Sequence, residues 1–209
     1  MALEFELSAT EGRVLAVLVE KQHTVPDSYP LSLNALTNGC NQKTAREPVM
    51  ALSEVEVLAA LGELKDRSLV FETSGSRVTR FEHNLRRVYQ VPGAAEALLT
   101  VLLLRGPLTA AELRLNSERL HRFADISSVE GFLDELAERG LVLKLPRAPG
   151  AREGRWAQLL TGPVHAPQAL TTGAPPSVDF DELQALRAEV EQLKRQVARL
   201  LAALDLPDQ

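Results

Sequence analysis

The chain has 209 residues, 45% of them hydrophobic but only 4% aromatic, with a formal net charge of -5. Cores filled by Leu, Val and Ala favour helices over a large sheet, and the single cysteine, Cys40, excludes an internal disulfide framework. No apolar run approaches the roughly 20 residues of a membrane span, and the acidic start Met1-Ala2-Leu3-Glu4-Phe5-Glu6 lacks the basic residues of a secretory signal, so a cytoplasmic location is expected.

In chain order, Ser8-Ala9-Thr10-Glu11 is a capping-box pattern and Val14, Leu15, Val17 and Leu18 follow at helical spacing, which predicts a first helix from Thr10 to Gln22. Pro26 and Pro30 force an irregular link. Leu31, Leu33, Ala35 and Leu36 predict a short second helix that closes near Asn38-Gly39, where Asn and Gly tolerate the left-handed conformation. A polar segment, Cys40 to Pro48, precedes a third helix opened by the box Ser53-Glu54-Val55-Glu56, with Val57, Ala60, Leu61 and Leu64 facing inward. Strands Leu69–Thr73 and Arg77–Phe81, joined at Ser74-Gly75-Ser76, complete the unit.

The scheme then repeats. Val57 to Val70 and Val129 to Val142 share Val, Leu, Glu, Leu, Arg, Leu and Val at a constant offset, and each is followed by a β-compatible stretch with a Gly-containing turn. The second copy has an apolar helix at Ala94–Leu104, a box at Thr109-Ala110-Ala111-Glu112, a third helix opened by Ser127-Ser128-Val129-Glu130, and a hairpin from Leu141 to Leu160 with an exposed Pro/Gly-rich tip. This is the pattern of a winged helix-turn-helix in tandem: a mainly α fold with small β-wings, divided as 1–90 and 91–160, each with its own small core. Residues 161–177 turn to Pro, Gly, Thr and Ala, a linker composition. In 178–206, Leu183, Leu186, Val190, Leu193, Val197, Leu200 and Leu204 recur at spacings of three and four, the seam of a parallel coiled-coil helix that predicts a homodimer, with packing of the stripe on its own module as the alternative.

The stretch from Tyr29 through Asn41-Gln42-Lys43-Thr44-Ala45-Arg46-Glu47-Pro48 to Met50 resembles the YceH-like family of uncharacterised bacterial proteins. The resemblance continues through Leu52-Ser53-Glu54, Arg80-Phe81-Glu82-His83-Asn84-Leu85 and Leu104-Arg105-Gly106-Pro107-Leu108-Thr109 to Trp156, covering most of 5–160. It implies a tandem winged-helix fold in bacteria and no established activity.

Two groups of residues are candidates for nucleic-acid contact. Asn41 and Gln42 have the amides that pair with adenine, Arg46 the fork that pairs with guanine, and Lys43 a charge for phosphate. Arg77 and Arg80 in the first wing, and Arg147, Arg152 and Arg155 in the second, alternate with small or apolar residues as phosphate or minor-groove contacts do. The rival reading of both groups is structural: amides that bond an irregular backbone, and a solvated hairpin face. Charge favours the rival, since 1–90 holds 10 basic and 12 acidic residues, 91–160 nine of each, and 161–209 four and seven. Glu54, Glu56, Glu63 and Asp66 also crowd the third helix, which in a winged helix enters the major groove. Trp156 reads as a core plug beneath the second wing. The histidines, His23, His83, His121 and His165, are far apart in sequence, and Cys40 has no partner for a zinc site. No phosphate-binding Gly-rich loop or nucleophile elbow is present, so neither an enzyme, a metal nor a cofactor is expected. The expectation is a homodimeric protein that binds duplex DNA as a regulator or accessory factor, with a protein-interaction adaptor as the alternative.

Overall fold

A computed structural model describes residues 5–73, 78–147, 150 and 153–163. The first helix, α1 (Ala9–Thr24), starts where the sequence demands. Ser8 Oγ accepts the Glu11 amide at 3.2 Å while the Glu11 carboxylate accepts the Ser8 amide at 2.6 Å. From Glu11 to Val19 every residue of α1 is buried, because helices on several sides pack against it. A 3-10 turn at Pro26–Ser28 leads into a two-residue strand, β1 (Leu31–Ser32), and then α2 (Leu33–Cys40). Gly39 does not end this helix in a left-handed conformation, as its type suggests; Asn41 closes it. Gly39 is needed for another reason: a Cβ there would stand 2.7 Å from Val17 Cγ1, so glycine lets α2 approach α1.

Both halves of the Ser53 capping box form at the start of α3 (Glu54–Asp66), which buries Val57, Ala60, Leu61 and Leu64. The strands β2 (Val70–Thr73) and β3 (Arg80–His83) follow, in an antiparallel sheet of order β1-β3-β2. The second strand lies further along the chain than the expected Arg77–Phe81. Pairing decides this: Leu31 of β1 sits opposite Phe81, and Val70 of β2 opposite His83. A single turn, α4 (Leu85–Val88), connects to α5 (Gly93–Arg105), which is buried on all sides from Ala94 to Leu104.

The second box, Thr109 with Glu112, caps α6 (Ala110–Asn116). The next helix, α7 (Ile126–Glu138), is capped by Asp125 rather than by Ser127: Asp125 Oδ1 accepts the Ser128 amide at 2.7 Å. β4 (Val142–Lys144) and β5 (Trp156–Gln158) pair antiparallel, with Trp156 buried and Lys144 over its ring.

Described in sequence, the elements run helix, helix, helix, hairpin twice. The arrangement is mainly helical with small antiparallel sheets and is compatible with a winged-helix-like fold. All described residues fall in a single compact unit, and one continuous buried cluster runs from Leu7 to Leu160. Polar bonds cross between the halves as well. The Leu7 amide donates to the Leu160 carbonyl at 2.8 Å, the Glu47 amide to the Leu104 carbonyl at 2.7 Å, and the Arg139 guanidinium to the Tyr89 and Gln90 carbonyls. No helix among the described residues is long and apolar enough to cross a membrane. Residues 164–209, which hold most of the expected linker and the coiled-coil seam from Leu183 to Leu204, lie outside the described residues.

Candidate functional site

The segment from Asn41 to Arg46 is folded inward. Asn41 uses both ends of its amide on one residue: Nδ2 donates to the Leu52 carbonyl and Oδ1 accepts the Leu52 amide, each at 2.7 Å. This pair mimics a backbone ladder and holds the loop against the start of α3. Arg46 is 5% exposed. Its guanidinium makes a two-pronged contact with Glu20 of α1, at 3.2 and 2.6 Å, and donates to the carbonyls of Gly39 and Ala45 and to Gln42 Oε1. Burial works to raise the Glu20 carboxyl, but the Arg46 bonds and charge outweigh it and hold Glu20 below the usual carboxylate range. Gln42 Oε1 also accepts from Lys21 at 3.4 Å. Arg46, expected at a guanine edge, is therefore a latch inside the protein. Asn41 and Gln42 are committed around it, and Lys43 points outward as an exposed cation.

The wing residues divide similarly. Arg80 donates to the Pro30 carbonyl at 2.7 Å and to Ser28 at 3.4 Å, and Arg155 to the Pro107 carbonyl at 2.8 Å and to Glu112 at 3.4 Å. Both stay partly open to solvent while tying hairpins to loops. Arg147 is exposed. Arg77 and Arg152 lie outside the described residues.

The outer face of α3 was not singled out by sequence. Val55 is 77% exposed and Leu58 52%, and Ala59 is exposed beside them. With Gly62, where an added Cβ would meet open space, they recur at i, i+3, i+4 and i+7. That spacing puts them in one stripe, opposite the buried Val57, Leu61 and Leu64. Glu54, Glu56, Glu63 and Asp66 flank the stripe, and Lys65 is engaged by Glu72 of β2 at 2.8 Å. The signal was available: two apolar faces on one helix, of which the fold buries one. The outer surface of α7 is acidic too, with Glu130, Asp134, Glu135 and Glu138 exposed.

A second cluster forms where the chain brings distant histidines together. His83, on β3, places Nδ1 3.6 Å from Glu96 Oε1, and His23, on α1, places Nε2 3.9 Å from Glu96 Oε2. Glu96 is 1% exposed, and burial pushes its carboxyl up to about 7. Burial, then the nearby charges of His23 and Arg86, hold His83 down to about 4. Burial, then Arg86 and His121, also lower His23. Sequence separation hid this grouping, which only the packing of α1, β3 and α5 creates. Among the described residues, no three His, Cys, Asp or Glu side chains are grouped to hold a metal. Cys40 is fully buried, and burial pushes its thiol up to about 12, so it stays protonated.

Residues 7–151 match the family described as a protein of unknown function, DUF480. The UPF0502 protein of Methylibium petroleiphilum is 67% identical over 195 residues, spanning 91% of this chain and 84% of that protein. The UPF0502 protein of Burkholderia orbicola is 64% identical over 202 residues, 94% of this chain and 86% of its own length. That of Burkholderia pseudomallei strain 668 is 62% identical over 207 residues, 96% and 87%. Identity at this level over nearly the whole chain places the protein in the UPF0502 family of bacterial proteins, the same family as DUF480 and the YceH-like proteins.

Proposed function

We propose that this protein is a non-enzymatic adaptor built from two winged-helix units, which holds a protein partner on the outer face of α3. The observation that carries the reading is the exposed stripe of Val55, Leu58, Ala59 and Gly62 within an acidic frame. A major-groove helix needs donors such as Arg, Asn or Gln pointing outward, and this face has carboxylates and methyl groups instead. Exposed apolar surface rimmed by charge is a protein-docking feature, and the frame selects a partner segment with an apolar stripe and Lys or Arg at its edges. Self-association through 178–206 would present two such faces.

The duplex-DNA reading rests on Lys43, Arg80 and Arg147, which keep exposed positive charge. Two measurements on the full chain separate the readings. Fluorescence anisotropy with a mixed-sequence duplex at low salt is expected to stay flat. Saturable binding that weakens linearly with log salt, at about 0.9 per phosphate, and disappears in K43A/R80A would replace the adaptor with a DNA-binding protein. A photo-crosslinking residue in place of Leu58 is expected to capture one stoichiometric, nuclease-resistant partner in cells, and V55D to abolish the capture.

A further inference from the structure

Beside the histidine cluster lies a cavity of about 440 Å³ lined by Gln22, His83, Asn84, Arg86, Arg87 and Val91. Its volume is that of a small-molecule site. Its lining contains two guanidinium groups and two side-chain amides but no carboxylate. Arg86 and Arg87 are exposed, and neither guanidinium makes a hydrogen bond or an ion pair among the described residues. His83 and Asn84, by contrast, are fixed in place. Tyr29 Oη accepts the His83 amide at 2.8 Å, His83 Nε2 is 2.8 Å from Gln22 Oε1, and Asn84 Nδ2 donates to the Ser68 carbonyl at 3.0 Å. Behind this wall, His83 Nδ1 and Glu96 Oε1 are both buried with no hydrogen-bond partner.

We infer that this cavity binds a small oxyanion, a phosphate or a carboxylate, through Arg86 and Arg87. Guanidinium forks with no carboxylate in the cavity lining to pair with them suit the bidentate recognition of either anion. The walls come from α1, β3 and α4, so the arginines stand on a scaffold the fold already holds. The site is independent of the α3 surface.

The buried groups behind the wall give the site a pH dependence. Glu96 is faced by His23 of α1, His83 of β3 and Arg86 of α4, and His121 acts on His23 from beyond. With Glu96 protonated, below about 7, Arg86 and Arg87 act on the cavity unopposed. Above it, the Glu96 carboxylate offsets part of their field. An anion whose own charge is constant over this range, such as a carboxylate, therefore binds more tightly at pH 6 than at pH 8, with uptake of a proton by Glu96.

The test is titration of the full chain with inorganic phosphate and, separately, with acetate in low-salt chloride buffer, read by isothermal calorimetry and thermal shift. Saturable binding of at least one anion is expected, and which of the two binds tells the chemical class. R86A/R87A should weaken it tenfold or more at an unchanged melting temperature, while R119A, an exposed arginine elsewhere, should leave it intact. For acetate, whose charge does not change between pH 6 and pH 8, E96Q should flatten the difference between those two pH values. The proposal is overturned if neither anion saturates, if R86A/R87A binds as the wild type does, or if R119A weakens binding equally, which would show general charge attraction.

Discussion

Removing the Arg46 side chain would strand Glu20 and the Gly39 carbonyl without the donor that serves both. R46A is expected to cost about 3 kcal/mol, the range for breaking a buried ion pair, read as a lower urea midpoint at an unchanged m-value. K43A, three residues away on the same loop, should stay within about 0.5 kcal/mol of wild type because Lys43 is a solvated cation. Glu96 and His83 make a sharper prediction. The Glu96 carboxyl rises from 4.5 to about 7 on folding, so the native state holds the extra proton and stability falls as pH rises through that window. His83 drops from 6.5 to about 4, so the unfolded state holds the extra proton and stability rises over its window. The opposing slopes, each about 3 kcal/mol in all at about 1.4 kcal/mol per pH unit, offset one another between pH 4.5 and 6.5. Chemical denaturation across pH 4 to 8 should show E96Q gaining stability up to pH 6.5. H83Q should lose stability from pH 4.5 to 7, although the lowered His23 adds a shallower rise. None of these roles was readable from residue type: Arg46 has the same sequence context whether it reads a base or locks a loop.

At the scale of elements, the legible features were those closed within three or four residues. The boxes at Ser8, Ser53 and Thr109 satisfy amides that no other part of the chain reaches, and all three formed. S53A should therefore cost about 1 kcal/mol, measured as a drop in thermal midpoint. Features that depend on a remote strand were not legible. β1 has two residues, too few for alternation to appear, and it sets the position of β3 through Leu31 and Phe81. Gly39 was misread for the same reason, because its requirement comes from Val17 on another helix. On α3, V55D and L58D should leave stability within about 0.5 kcal/mol, since both side chains are in solvent, while removing the docking surface. An equal loss of stability would mean that the stripe is packed in the free protein.

For the whole molecule, the buried cluster shared by the two halves predicts that they fold as one unit, and the single tryptophan provides a reporter. Trp156 lies in the second half, whereas Leu61 is buried in the first. L61A is expected to cost about 2–5 kcal/mol, and because the core is continuous, Trp156 fluorescence should report the lowered midpoint as one transition. A Trp156 transition that does not move would restore the expectation of two independent domains. The sequence by itself determined the duplicated helix-helix-helix-hairpin order, the helix starts at Ser8, Ser53 and Thr109 and the inward faces, because periodicity and capping are local and repeat wherever the same residues recur. Tertiary structure decided which polar residues stay available to a partner. Packing on α1 holds Arg46 inside against Glu20, the second apolar face of α3 stays in water, and His23, His83 and Glu96 gather behind two arginines with no partner among the described residues. Those outcomes turn on which groups lose water and which find a partner, and that is settled by packing between segments tens of residues apart.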